Sequence, residues 1–119
     1  MPTRDEHLKK ASESEKLADT MQPSSQASIN WKLVILFYIA LHYVEAYLAM
    51  TMGIHLRSHT TRDNYVTRDS NLRKVRKEYF HLKYFGYNAR YEADTFAASD
   101  VAEALGDLAV IKATIEPIV

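Results

Sequence analysis

The chain has 119 residues, 47% of them hydrophobic and 25% charged, with 15 basic residues balanced by 15 acidic ones, three Gly, three Pro and no Cys. That composition fits one globular domain over residues 1–119, and it excludes a disulfide scaffold, a thiolate metal centre and a collagen-like or low-complexity chain. A core this small can need a partner chain to finish its burial, and the lack of Cys suits a cytoplasmic location.

Helical periodicity dominates, and almost nothing alternates at period two, so an all-α class is expected. Arg4 to Met21 is charged on most faces, with a thin apolar stripe of Leu8, Ala11, Leu17, Ala18 and Met21 that predicts a docked, weakly amphipathic helix. Gln22 to Ser28 reads as a polar connector, because Pro23 pushes its predecessor out of helical geometry. A second helix is expected from Ile29–Trp31, capped by Asn30 or Ser28 and stopped by Gly53. It is apolar nearly all round, as in a helix surrounded by neighbours. The unbroken apolar run Leu33 to Leu41 ends at His42, with Glu45 three residues on, so a bilayer span would carry an ionisable pair near its centre. A soluble bundle helix is the reading, with no membrane partner.

After a short basic loop, residues 60–66 can form only a two-turn helix. A third long helix is predicted from a Ser70 cap through Leu72, Val75, Tyr79, Leu82 and Phe85, ending at Gly86, and Tyr87 to Ala97 reads as irregular. The last helix begins at Ser99, with Asp100 and Glu103 where the helix dipole favours negative charge. Its inner stripe is Val101, Leu105, Leu108, Ile111 or Lys112, and Ile115, and Pro117 closes it.

The zero net charge hides segregation. Residues 57–90 carry nine basic groups against Asp63, Asp69 and Glu78, a net +6, while residues 91–119 carry Lys112 against six acidic groups, a net −5. Cations interleaved with Tyr65, Tyr79, Tyr84, Tyr87 and Tyr91 have the composition of a nucleic-acid surface, where charge meets phosphate and rings stack on unpaired bases. The alternative is a basic helix facing the acidic last helix, with the tyrosines packed and their hydroxyls at the rim.

Among the histidines, His55 and His59 flank a loop with no Cys or carboxylate to complete a tetrahedral set, so neither a metal site nor a cofactor is expected. His42, three residues before Glu45 in the most apolar helix, reads as half of a buried polar pair, with a ligand site as the alternative. His81 follows Arg76 on a basic helix. An imidazole that moves a proton at the ribose and an Arg that stabilises phosphorane charge suffice for metal-independent RNA cleavage. Positions five apart on a helix nevertheless differ by about 140° and do not share a face.

The stretch Phe37 to Ala49 with its central His42, followed by Gly53-Ile54 and Arg57-Ser58-His59, resembles the core of small prokaryotic HEPN-domain proteins. Asn88-Ala89-Arg90-Tyr91-Glu92 is similar to that family's segment before its last helix, and Asp5 to Leu17 to its opening helix. The resemblance implies a four- to five-helix up-and-down bundle, commonly a homodimer, tied to RNA or nucleotides. Many members are ribonuclease toxins of toxin–antitoxin pairs, use an Arg-(four to six residues)-His motif, and pair with a small nucleotidyltransferase. Arg76 to His81 satisfies that spacing, one helix segment earlier than is usual in the family. The expected function is therefore RNA or nucleotide binding, with endoribonuclease activity carried by Arg76 and His81, and with Arg57, His59, Arg62, Arg73, Tyr84, Arg90 and Tyr91 binding the strand. The alternative is a non-catalytic helical module that docks a nucleotidyltransferase-like or other acidic partner.

Overall fold

In a computed structural model, which describes residues 2–91 and 95–119, Thr3 opens the first helix, α1 (Arg4–Thr20). Its hydroxyl accepts from the Glu6 amide at 3.2 Å, and the Glu6 carboxylate accepts from the Thr3 amide at 3.3 Å. This reciprocal cap satisfies two otherwise orphaned donors. The face α1 buries is His7, Ala11 and Ala18, whereas Leu17, expected on the stripe, stands 54% exposed.

The second helix, α2 (Gln26–Met52), starts earlier than the apolar pattern suggests. Ser25 is its cap in place of Ser28 or Asn30, and Ser28 instead closes the capping box from inside the helix. Gly53, at φ 66°, ends α2 in the left-handed region that a side chain disfavours. By length and composition α2 could cross a membrane, but 72% of its most apolar window is buried inside the bundle. The short helix α3 (His59–Arg68) is capped by the Ser58 hydroxyl.

A 3-10 turn, Leu72–Val75, leads directly into α4 (Arg76–Tyr91). The cap expected from Ser70 comes from Asp69. Its Oδ2 accepts from the Asn71 and Leu72 amides, each at 3.0 Å, and from the Tyr47 hydroxyl at 2.8 Å, which pins the turn to α2. Gly86 does not stop this helix, and residues expected to be irregular remain helical to Tyr91; residues 92–94 of that stretch, Glu92 of the similar segment among them, lie outside the described residues. Gly86 serves a packing purpose: a Cβ there would lie 2.9 Å from the Phe37 Cβ, so the glycine lets α2 and α4 approach closely. The last helix, α5 (Ala98–Ile115), begins where the Asp100 carboxylate reaches back to the Ala97 amide at 2.8 Å. Its inner stripe is Val101, Ala104, Leu108, Ile111 and Ile115, while Leu105 points outward at 42% exposure.

Cross-helix contacts fix the directions. His7 meets His42 and Met21 meets Lys32, so α1 runs antiparallel to α2. Asp69 meets Tyr47 and Arg90 meets Tyr38, so α4 does likewise. Gln26 bonds Phe96 while Tyr43 bonds Glu116, which sets α5 parallel to α2. The result is an all-helical bundle, with no strand among the described residues, in which α2 is the central helix and the short α3 packs against the 3-10 turn and α4.

Candidate nucleic-acid interface

The close crossing at Gly86 opens on one side into a cleft of about 220 Å³ between α2, the start of α3 and α4. Val34 and Phe37 form its floor, and Tyr38, Tyr87, Tyr91, Arg90, Lys83 and His59 its walls and rim. The helical spacing of α4 explains the assembly: Lys83, Tyr87, Arg90 and Tyr91 recur at three and four residues and so share one face. Tyr38 is 40%, Tyr87 54% and Tyr91 61% exposed, unusually open for large rings on a helical core.

These groups hold one another. The Arg90 guanidinium donates to the Tyr38 hydroxyl at 2.9 Å and lies 5.0 Å from the centre of the Tyr91 ring, and the Tyr87 and Tyr91 rings are 5.1 Å apart. Lys83 is ion-paired with Asp63. The His59 ring lies 6.1 Å from Phe37, and its Nδ1 is 3.1 Å from Arg62 Nη1. Partial burial, reinforced by the Arg62 and Lys83 charges, lowers the His59 pKa from its ordinary value, so the ring is neutral at neutral pH. The arrangement joins open aromatic faces, two cations and an uncharged imidazole in one concavity. Such a set can stack a base, hold a phosphate and exchange a proton.

The residues expected to bind a strand are divided by the fold. His59, Arg90 and Tyr91 come together in the cleft; Tyr84 is exposed on α4 outside it, and Arg57 is exposed on the α2–α3 loop. Arg73 belongs to a second basic patch at the start of α4, with Lys74, Arg76, Lys77, Glu78 and Phe80. Arg62 does not belong to a strand-binding surface at all, being 3% exposed. Its Nε donates to Glu45 Oε1 at 2.7 Å and its Nη2 to the Leu56 carbonyl at 2.6 Å. A buried carboxylate on α2 needs a cation, and Arg62 on α3 supplies it.

Arg76 and His81 are not brought together. Arg76 sits in the basic patch, its guanidinium 5.9 Å from the Phe80 ring. The His81 ring packs on Phe85 at 4.4 Å, and its Nδ1 bonds Asp107 of α5 at 2.5 Å. Asp107, which no spacing in the sequence pairs with His81, orients the imidazole by its bond to Nδ1 and leaves Nε2 facing away from that bond. Among the described residues no Lys or Arg of α4 is ion-paired with α5, and Lys83 pairs instead with Asp63 of α3, so the acidic last helix does not neutralise the cations of α4.

His42 and Glu45 do not form the expected pair with each other. His42 Nδ1 is 3.1 Å from Nδ1 of His7, a buried residue of α1 that the apolar pattern passes over. Glu45 bonds Arg62 and, through Oε2, the Leu56 amide at 3.1 Å. Burial, with His7 and Lys10 nearby, lowers the His42 pKa to about 4, and burial lowers that of His7. Tyr38, Lys83 and Tyr87 are cleft residues that were not among the expected strand-binding set; Lys83 and Tyr87 counted only toward the composition of the basic segment, and in an apolar run the Tyr38 ring is indistinguishable from core. No family model, curated protein or solved structure matches the chain.

Proposed function

We propose that this HEPN-like chain binds single-stranded RNA or a nucleotide in the α2–α4 cleft. The observation that carries the reading is the convergence of three exposed tyrosines with Arg90, Lys83 and His59 around one concavity. Base stacking on Tyr87 and Tyr91 supplies sequence-tolerant affinity, and Arg90 and Lys83 meet the phosphates. The basic patch of Arg73, Arg76 and Lys77 extends the positive surface along α4.

Fluorescence anisotropy of a labelled single-stranded RNA across a salt series tests this. Affinity falls with salt, and Arg90→Ala lowers the log–log slope by about 0.7, the value of one phosphate contact on a single strand. Tyr87→Ala costs about 1–3 kcal/mol for a lost stack and leaves the slope unchanged. Failure to bind at low salt, or full affinity in both variants, refutes the reading. Cleavage of a mixed RNA pool without metal extends it to a ribonuclease. Loss of cleavage in His81→Ala or Arg76→Ala assigns the chemistry to α4 with Asp107 orienting the imidazole, and loss in His59→Ala assigns it to the cleft.

The same exposed patch favours a second reading, a non-catalytic module that docks an acidic partner such as a nucleotidyltransferase. In that case Arg73→Glu abolishes docking while the cleft variants do not.

A further inference from the structure

About two turns along α2 from the cleft residue Tyr38, three segments of the chain deliver electron-pair donors to one point. His7 Nε2 from α1 lies 3.1 Å from His55 Nδ1 in the α2–α3 loop, and His55 Nδ1 lies 3.4 Å from Glu45 Oε2 on α2. All three atoms lie within 4.8 Å of one another, and two of the three residues are buried. Two ligands that share a tetrahedral Zn²⁺ through bonds of about 2.0–2.1 Å are about 3.3 Å apart, so the first two separations are those of neighbouring ligands on one ion.

The proton inventory points the same way. A neutral imidazole has one N–H and one lone pair. If His7 donates its Nδ1–H to His42, its Nε2 is an acceptor, and the single Nδ1–H of His55 is shared between His7 Nε2 and Glu45 Oε2. One proton then serves three atoms that can each donate an electron pair to a cation. With His55 in its Nε2–H tautomer, all three lone pairs are free.

From this we infer a binding site for a Zn²⁺-class divalent cation formed by His7 Nε2, His55 Nδ1 and Glu45 Oε2, with one position left for water. The surrounding groups are those that such ligands require. His42 Nδ1, 3.1 Å from His7 Nδ1, is placed to accept the remaining His7 N–H. Arg62 and the Leu56 amide hold the Glu45 carboxylate. Two imidazoles and one carboxylate select a borderline ion over Mg²⁺ or Ca²⁺, which favour oxygen-rich shells. The His55 side chain, 23% exposed, leaves the site open to solvent.

The test is titration of the chelator-stripped full chain with Zn²⁺ and Co²⁺. One equivalent of Zn²⁺ raises the melting temperature, and one equivalent of Co²⁺ gives the visible d–d absorption of a tetrahedral N/O site. His55→Gln, a loop substitution whose fold is verified by circular dichroism, weakens Co²⁺ binding at least tenfold. His42→Gln weakens it about 10–100-fold through the lost orientation of His7, and His81→Gln leaves it unchanged. Absence of both the thermal shift and the absorption overturns the inference, as does undiminished binding by folded His55→Gln.

Discussion

Arg62→Met removes the cation that neutralises Glu45 while keeping most of the side-chain volume. In the native fold the guanidinium meets Glu45 at 2.7 Å, the Leu56 carbonyl at 2.6 Å and His59 at 3.1 Å, and the two charged side chains are 4% and 1% exposed. The variant leaves the carboxylate with the Leu56 amide and His55 as its remaining polar neighbours. Stranding a buried charge in this way costs about 3–5 kcal/mol. The 119 residues carry an unfolding entropy of about 0.25 kcal/mol/K, so a loss of about 4 kcal/mol lowers the melting temperature by about 16 °C. Glu45→Leu combined with Arg62→Met removes both charges and recovers part of the loss. What persists is about 1–3 kcal/mol for each Leu56 backbone group left without a partner. Urea denaturation followed by circular dichroism measures all three proteins. A loss below about 1 kcal/mol in Arg62→Met, the worth of an exposed pair, refutes the argument.

Glycine substitutions on two helices take opposite signs. Gly86→Ala drives a Cβ to 2.9 Å from the backbone-anchored Phe37 Cβ and destabilises by about 1–3 kcal/mol, whereas Gly106→Ala meets nothing within 4 Å and stabilises by about 0.5–1 kcal/mol in the same denaturation assay. Asp69→Ala strips the Asn71 and Leu72 amides and the Tyr47 hydroxyl of their acceptor and costs about 2–3 kcal/mol, read as a lower urea midpoint. The pH profile follows from His7 and His42, whose folded pKa values lie below the ordinary 6.5, at about 4 for His42. The unfolded chain takes up these protons first, so their contribution is complete above about pH 6.5 and is lost as pH falls toward about 4. His42→Gln flattens that part of the profile in urea midpoints taken across the range, and an unchanged slope would exclude His42 as its source.

The helical class and the inner faces of α4 and most of α5 were legible because apolar spacing at three and four residues encodes burial directly, whereas α2, apolar nearly all round, showed only that it is central. Leu72, Val75, Tyr79, Leu82 and Phe85 all face inward as their spacing predicts. Errors fell where one residue type serves two purposes. Gly86 looks like a helix stop and is a helix contact, and Leu17 and Leu105 are apolar yet outward. The site was legible by half, since composition located the basic aromatic segment but could not distinguish outward from inward cations. Arg62 and Arg90 are alike in sequence, and only the three-dimensional position of Glu45 separates them. Partners such as His7 with His55, or His81 with Asp107, are separated by 48 and 26 residues, beyond any local periodicity.

Leu56 sits in an irregular loop, yet both of its backbone polar groups are tied to the Glu45–Arg62 pair, the amide to one member and the carbonyl to the other. Its amide proton is released only when the centre of the bundle opens. Leu56 should therefore exchange with deuterated solvent on the timescale of the α2 interior and not on that of its loop neighbours, making one loop residue a local clock for global unfolding.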